Sequence, residues 1–532
     1  MKKSKKHIRS ILKFIQVNLR QNSFYLSSIK NLASQTVWYG LSSIAARLIN
    51  YLLTPYLTYS SNITTADYGM MTLIYSALPI LNIIFTYGFE TGYFRFSSTD
   101  ENKGTIYSTS FLSLFFSTIV FTLLLWFCRS AFGSAIGVSN HPEIIQLAIF
   151  IVAFDALSRI PLARLRQQGR PLKFAFVTIA GIFFNVFFTW FFIGYCSKAV
   201  SLDANSWVSL FYQPAPKTNP IYYVILANLI QSVVTLLLLS SEIVQVRFKF
   251  NVRLWKEMMV YSLPLIIVGM GGMVNEVFDR LMLKWWLPGT NIQRDVQVAI
   301  YGACYKLSIL ITLFIQAFRM GAEPFFFRQA EGQNPQRVFA RVMKFFVIII
   351  CLMFLAVSLY MPIWKHFIGP KYWTGLSVVP ILLLANMFIG IYYNLSVWYK
   401  LGNKTSAGAW ITVGGAAITT IINFIFIPKY SYHACAWATF ICYGSMMVAS
   451  FVWGQKEYRI PYPWKKLVAY IVIVVLLFFV HKGITSFWQN PFFGITVATI
   501  LTAAYLWFIG NVEKKELPQL PVIGKYFKKP AL

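Results

Sequence analysis

Three basic residues stand where a charge is costly: Arg47, Arg280 and Lys306 each interrupt a run of mostly apolar residues long enough to cross a bilayer. A charge inside hydrocarbon must line water or meet a partner. Arg offers a planar fork that grips phosphate oxygens in pairs, and Lys adds a compact charge on a flexible stem. Together they fit a hydrated, cationic cavity that accepts an anionic group. Asp279 and Glu276 lie on the same run as Arg280 and are its nearest charge partners, so the competing reading is a neutralised network that only locks helices. Toward one membrane face, Glu90 with Arg95, Glu323 with Arg328, and Asp155 with Arg159 at i and i+4 could bridge elements as an inner gate. They could equally serve as interfacial anchors.

No other group has the pattern of a reaction centre. The 5 histidines are scattered, without catalytic spacing. The 6 cysteines, Cys128, Cys196, Cys304, Cys351, Cys435 and Cys442, form no CxxC and have no His at metal spacing, so inert thiols are expected rather than a metal or disulfide site. No phosphate-cradling GxxxxGK[ST] is present. The chain therefore reads as a non-enzyme with no catalytic residue, metal or cofactor.

The elements that position these charges follow from composition. Of 532 residues, 57% are apolar and 12% charged, against roughly 45–50% and 25% in a soluble domain, which excludes a soluble globular fold. Lys and Arg number 47 against 17 Asp and Glu, a net +30 that in a soluble protein would suggest nucleic acid. Here the basic residues sit in short clusters between apolar runs, and no nucleic-acid partner is expected. The runs predict an all-α polytopic membrane protein with fourteen spans: 33 to 58, 70 to 92, 106 to 127, 144 to 162, 173 to 195, 221 to 241, 258 to 286, 299 to 321, 342 to 363, 376 to 398, 407 to 427, 433 to 453, 465 to 484 and 492 to 509. Trp285, Trp286, Trp364, Trp373, Trp453 and Trp464 fall at span ends, as an aromatic belt does.

Residues 1–30 carry Ile8, Ile11, Leu12, Ile15 and Leu19 at helical spacing among Lys and Arg, a basic segment expected to lie on the bilayer surface rather than a cleavable signal. Alternate connections, counted with the termini, hold 35 and 9 basic residues, so both termini are expected to be cytoplasmic.

An internal repeat organises the spans. At an offset of 233, Arg47-Leu48 falls on Arg280-Leu281, Pro55 on Pro288, Ala66 on Ala299, Tyr68-Gly69 on Tyr301-Gly302, Phe85 on Phe318, Gly88 on Gly321, Glu90 on Glu323 and Phe94-Arg95 on Phe327-Arg328. That is 11 identities over 49 positions, mostly residues with specific backbone or charge roles. Six spans separate the copies, so both cross the membrane in the same direction, as parallel halves facing a central cavity. The expected organisation is a first half at 31–243, a second at 255–453, an extra helix pair at 465–510 and a tail at 511–532.

Four further motifs carry a family resemblance: Leu57 to Gly69 ending Asp67-Tyr68-Gly69, the run Gly88-Phe89-Glu90-Thr91-Gly92-Tyr93-Phe94-Arg95, the turn Leu165-Arg166-Gln167-Gln168-Gly169-Arg170, and Asn423 to Tyr430 ending Ile427-Pro428-Lys429-Tyr430. In this order, with fourteen spans, the chain resembles the polysaccharide-exporter branch of the multidrug/oligosaccharidyl-lipid/polysaccharide superfamily. The resemblance implies a flippase that turns an undecaprenyl-diphosphate-linked oligosaccharide across a bacterial inner membrane for surface polysaccharide, capsule or lipopolysaccharide synthesis, with membrane lipids and a polymerase of the same pathway as partners. It also implies a groove for the lipid tail on the last two helices. One rival is a drug/cation antiporter of the same superfamily, which would use acidic cavity residues. A second is a membrane glycosyltransferase or polymerase, against which stands the scarcity of external acids: Asp67 in the first connection and Asp203 in the longest, 196 to 220.

Overall fold

In hydrocarbon each backbone N–H and C=O must be bonded within its own segment, so a long apolar run becomes a helix. The computed structural model describes residues 45, 47–99, 103–330, 334–402, 404–488, 490–514 and 516, and among them it has 13 helices long and apolar enough to span a membrane. They match the second to fourteenth expected spans. Of the first span, 33 to 58, the helical stretch 47–59 is described and is labelled α1. The basic segment 1–30, and the tail beyond residue 516, lie outside the described residues.

The spans are α2 (Thr65–Thr86), α3 (Lys103–Phe127), α4 (Pro142–Gln167), α5 (Pro171–Leu202), α6 (Pro220–Leu238), α7 (Val252–Glu276), α8 (Asn291–Ala330), α9 (Pro335–Ser358), α10 (Pro370–Leu401), α11 (Thr405–Tyr430), α12 (Tyr432–Glu457), α13 (Trp464–Phe487) and α14 (Pro491–Val512). Their starts are written locally. Thr64 and Asp67 form a capping box on α2. Pro142, Pro171, Pro220, Pro335 and Pro491 open their helices, where the missing N–H is unneeded. Two elements depart from the simple pattern. α8 runs 40 residues without interruption, well past the expected end at 321. The seventh span breaks at Val277 and resumes as Phe278–Trp286, so the 258 to 286 run is two helices rather than one.

The connections after even-numbered helices carry most of the basic residues, and this side is called the basic face. The two halves meet chiefly where α2 lies along α8. At that crossing the repeat-matched glycines give the backbones room: a Cβ on Gly69 would stand 2.0 Å from the Asp295 carbonyl oxygen, and one on Gly302 2.7 Å from Thr72 Cγ2. Other contacts seal the face opposite the basic one. Lys371 Nζ donates to the Ile63 carbonyl (2.6 Å), the Gly369 N–H to Thr58 Oγ1 (3.1 Å), Tyr59 Oη to the His366 carbonyl (3.1 Å) and Trp285 Nε1 to the Ala135 carbonyl (2.5 Å). Within the second half α12 packs along both α10 and α11, and the appended helices α13 and α14 both pack on α9.

Candidate functional site

The break at Val277 shapes the site. With its φ at −133°, the chain leaves helical geometry, and the Glu276 carbonyl turns to accept from Arg280 Nη1 at 2.6 Å. Arg280 Nη1 also donates to Asp279 Oδ1 at 2.9 Å, and Tyr301 Oη donates to Asp279 Oδ2 at 2.6 Å. The guanidinium lies 4.1 Å from the centroid of the Tyr305 ring. Arg280 is 6% exposed and Asp279 2%, so this is a buried, internally satisfied ion pair. It is the helix-locking network weighed in the sequence, and Arg280 does not line the cavity beside it.

That cavity consists of two spaces of about 400 and 330 Å³ that share Glu276, Arg319, Ile389, Tyr393 and Tyr443 as lining and are therefore continuous. α7, α8, α10, α11 and α12 supply nearly all of the wall, and α1 contributes Arg47. From Tyr305 to Arg319 the wall follows α8 for about 21 Å at 1.5 Å per residue. It ends at Lys400 and Thr405 on the basic face. Arg47 is exposed here and donates from Nη1 to Gln316 Oε1 across the join between the halves.

Among the sequence-predicted residues, Arg47 and Glu276 line this space, and the Glu276 carboxylate makes no hydrogen bond or ion pair among the described residues. Lys306 is half-buried on α8, outside the lining, and likewise has no such partner among the described residues. The gate candidates whose side chains are described do not gather. Glu90 pairs with Arg166 inside the first half, and Asp155 accepts from Ser232 Oγ at 2.8 Å in the same half. Arg159 is exposed. Of the described members of this set, Arg95 reaches across, its guanidinium 4.3 Å from the Tyr261 ring on α7. The side chains of Glu323 and Arg328 lie outside the described residues.

The residue the sequence reading missed is Arg319. It lines both spaces and stands 4.8 Å over the Tyr393 ring. Its place at the inner end of the 299 to 321 run grouped it with the basic connection; the length of α8 was the signal that would have separated it. The cavity thus combines the guanidinium groups of Arg47 and Arg319 with the Glu276 carboxylate, Glu276 and Arg319 lining both spaces. Among the described residues no group of three His, Cys, Asp or Glu could hold a metal ion.

The fold has solved counterparts. A lipid II flippase MurJ in an inward closed conformation aligns with a TM-score of 0.65 and 13% identity, covering 90% of this chain and 99% of that one. Multidrug resistance MATE family transporters of the MOP superfamily align at 0.57 and 12% identity in an inward-facing conformation (82% and 95% covered) and at 0.55 and 13% in an outward-facing one (83% and 96%). At this identity the likeness is one of fold. No curated protein sequence matches the chain. The family model described as "Polysaccharide biosynthesis protein" matches residues 32–329, more than half of the chain, which accordingly belongs to that family.

Proposed function

We propose that this protein is a flippase that carries an undecaprenyl-diphosphate-linked oligosaccharide across a bacterial inner membrane, with both termini cytoplasmic and the basic face turned inward. The observation that carries the reading is the cavity, mainly within the second half, where Arg47 from the first half and Arg319 stand on a wall that opens toward the basic face. A diphosphate is a dianion or more, and guanidinium forks bind its oxygens with paired, charge-assisted hydrogen bonds. Lys306 adds a third cation nearby, and Arg280 and Asp279 hold the wall in shape. The helix pair α13–α14 exposes Val472, Leu476 and Phe479 along one side and provides the apolar surface on which a long tail travels. Each CH₂ kept out of water there is worth about 0.8 kcal/mol. The product is consumed by a polymerase of the same pathway.

Arg47→Ala and Arg319→Ala are expected to abolish surface glycan at unchanged membrane levels, measured by glycan staining of the producing cells beside an immunoblot. Wild-type glycan in both variants refutes phosphate capture in this cavity. One observation favours a second reading, a cation/drug antiporter: the unpaired Glu276 carboxylate within the cavity. Glu276→Gln would then abolish drug resistance, whereas a flippase confers none to lose.

A further inference from the structure

The 88–95 motif of the first half meets the second half at α7. A Cβ on Gly92 would stand 2.7 Å from Ser262 Oγ, and one on Gly88, where φ is +73°, 3.1 Å from the Ser262 carbonyl oxygen. Arg95 of the same motif covers Tyr261. Beside this contact α2, α3 and α7 leave a separate groove of about 470 Å³, whose apolar wall includes Ile84, Phe116, Val120, Met259, Leu263 and Ile266. Its polar lining groups answer one another: Tyr87 Oη and Ser113 Oγ are 2.6 Å apart, Trp255 Nε1 donates to Ser113 Oγ (2.8 Å), and Ser117 Oγ donates to Tyr87 Oη (3.3 Å). An occupant meets apolar surface with little to hydrogen-bond to, which suits hydrocarbon. Phe116, Val120 and Leu263 are exposed within their spans, so the groove opens sideways to lipid.

The length of the groove and the charge at its mouth identify the hydrocarbon. From Trp255 to Ile266 α7 follows it for about 17 Å at 1.5 Å per residue, close to half of a hydrocarbon core of about 30 Å. It therefore serves one leaflet, and Phe250 and Trp255, at the start of α7, put its mouth at the basic face. Residues 247–257 carry Arg247, Lys249, Arg253 and Lys256, all exposed, against one acid, Glu257, which pairs with Arg253 at 3.3 Å. The connection bearing the first two is tied to α3, since the Arg247 N–H donates to Ser108 Oγ (3.0 Å) and the Asn251 N–H to Thr109 Oγ1 (3.2 Å). We propose that the groove binds an anionic phospholipid of the leaflet at the basic face, with one acyl chain between α3 and α7 and the headgroup phosphate among these cations. A zwitterionic lipid fits the groove equally but brings no net charge to the mouth. Because α2 and α3 belong to the first half and α7 to the second, the lipid touches both halves and stabilises their present arrangement.

The test uses the purified full chain, titrated with phosphatidylglycerol or with phosphatidylcholine of the same acyl chains and read by native mass spectrometry. The complex with one phosphatidylglycerol is expected to be tighter by about tenfold or more. Lys249→Gln combined with Lys256→Gln lowers the affinity for phosphatidylglycerol by about thirtyfold, as loss of two surface charges requires, and leaves that for phosphatidylcholine unchanged. Leu263→Trp fills the groove from an exposed position and weakens both lipids by about tenfold at an unchanged thermal midpoint. Should Leu263→Trp lower the midpoint, Val120→Trp, from the α3 wall, supplies the same reading. Equal affinity of wild type for the two lipids overturns the proposal, as does undiminished binding in both groove-filling variants. Displacement of phosphatidylglycerol by equimolar undecaprenyl phosphate overturns it too, because the groove would then be the path of a polyprenyl tail.

Discussion

Arg47 and Arg280 occupy equivalent positions of the repeat yet do different work. Arg280 is buried against Asp279, Tyr305 and the Glu276 carbonyl, whereas Arg47 is exposed in the cavity. Removing one partner of a buried pair leaves an uncompensated charge and costs about 3–5 kcal/mol, so Arg280→Ala and Asp279→Ala are each expected to lower the thermal midpoint of the purified protein and its level in the membrane. Arg47→Ala should leave both unchanged while removing export. A thermal scan of the three variants in one detergent distinguishes the roles. These positions stood out in the sequence because charged residues in apolar runs are conspicuous. Their division into lock and cavity was not legible, because it depends on the break at Val277, which no Pro or Gly announces.

At the scale of elements, the matched Tyr-Gly pairs acquire a reason. Gly69 meets backbone of α8, which cannot move aside, while Gly302 meets the Thr72 side chain, which can rotate. Gly69→Ala is therefore expected to destabilise by about 1–3 kcal/mol and Gly302→Ala by less, as read from thermal midpoints. The α13–α14 pair is fastened by a second device. Glu513, just past the end of α14, is 2% exposed and bonded by Lys344 (2.6 Å), Tyr470 (2.5 Å) and Lys466 (3.3 Å). Burial alone would raise its carboxyl, but the hydrogen bonds from Lys344 and Tyr470 and the charges of Lys344 and Lys466 outweigh it and hold the group below its ordinary value of 4.5. A carboxyl so depressed contributes stability that is complete above about pH 4.5 and is lost as pH falls through the lower folded value. Wild type should thus lose thermal stability on acidification through that window. Glu513→Gln should be less stable at pH 7 and lack that part of the decline.

For the whole molecule, the face opposite the basic one is closed by contacts between the halves, while the cavity reaches the basic face. Cys304, fully buried behind this seal and bonded to the Tyr372 carbonyl, reports on it. In a background where the exposed Cys128 is replaced by Ser, a membrane-impermeant maleimide should leave wild type unlabelled and label Cys304 once Gly69→Leu wedges α2 from α8. Labelling that is the same in both proteins would show that the glycine crossing is not the seal.

The sequence by itself determined the all-helical membrane fold and thirteen of the spans as the described residues have them, and it singled out the charged residues within the apolar runs. These follow from length, hydropathy and the cost of burying ions, all of which act along the chain. Only the tertiary structure decided that the cavity belongs mainly to the second half, that Arg319 joins it while Arg280 leaves it, and that Glu90 turns to Arg166 rather than to another half. Which of several available partners a long charged side chain meets depends on rotamers and helix rotations set by packing across the molecule. Such distances have no trace in the spacing of residues along one helix.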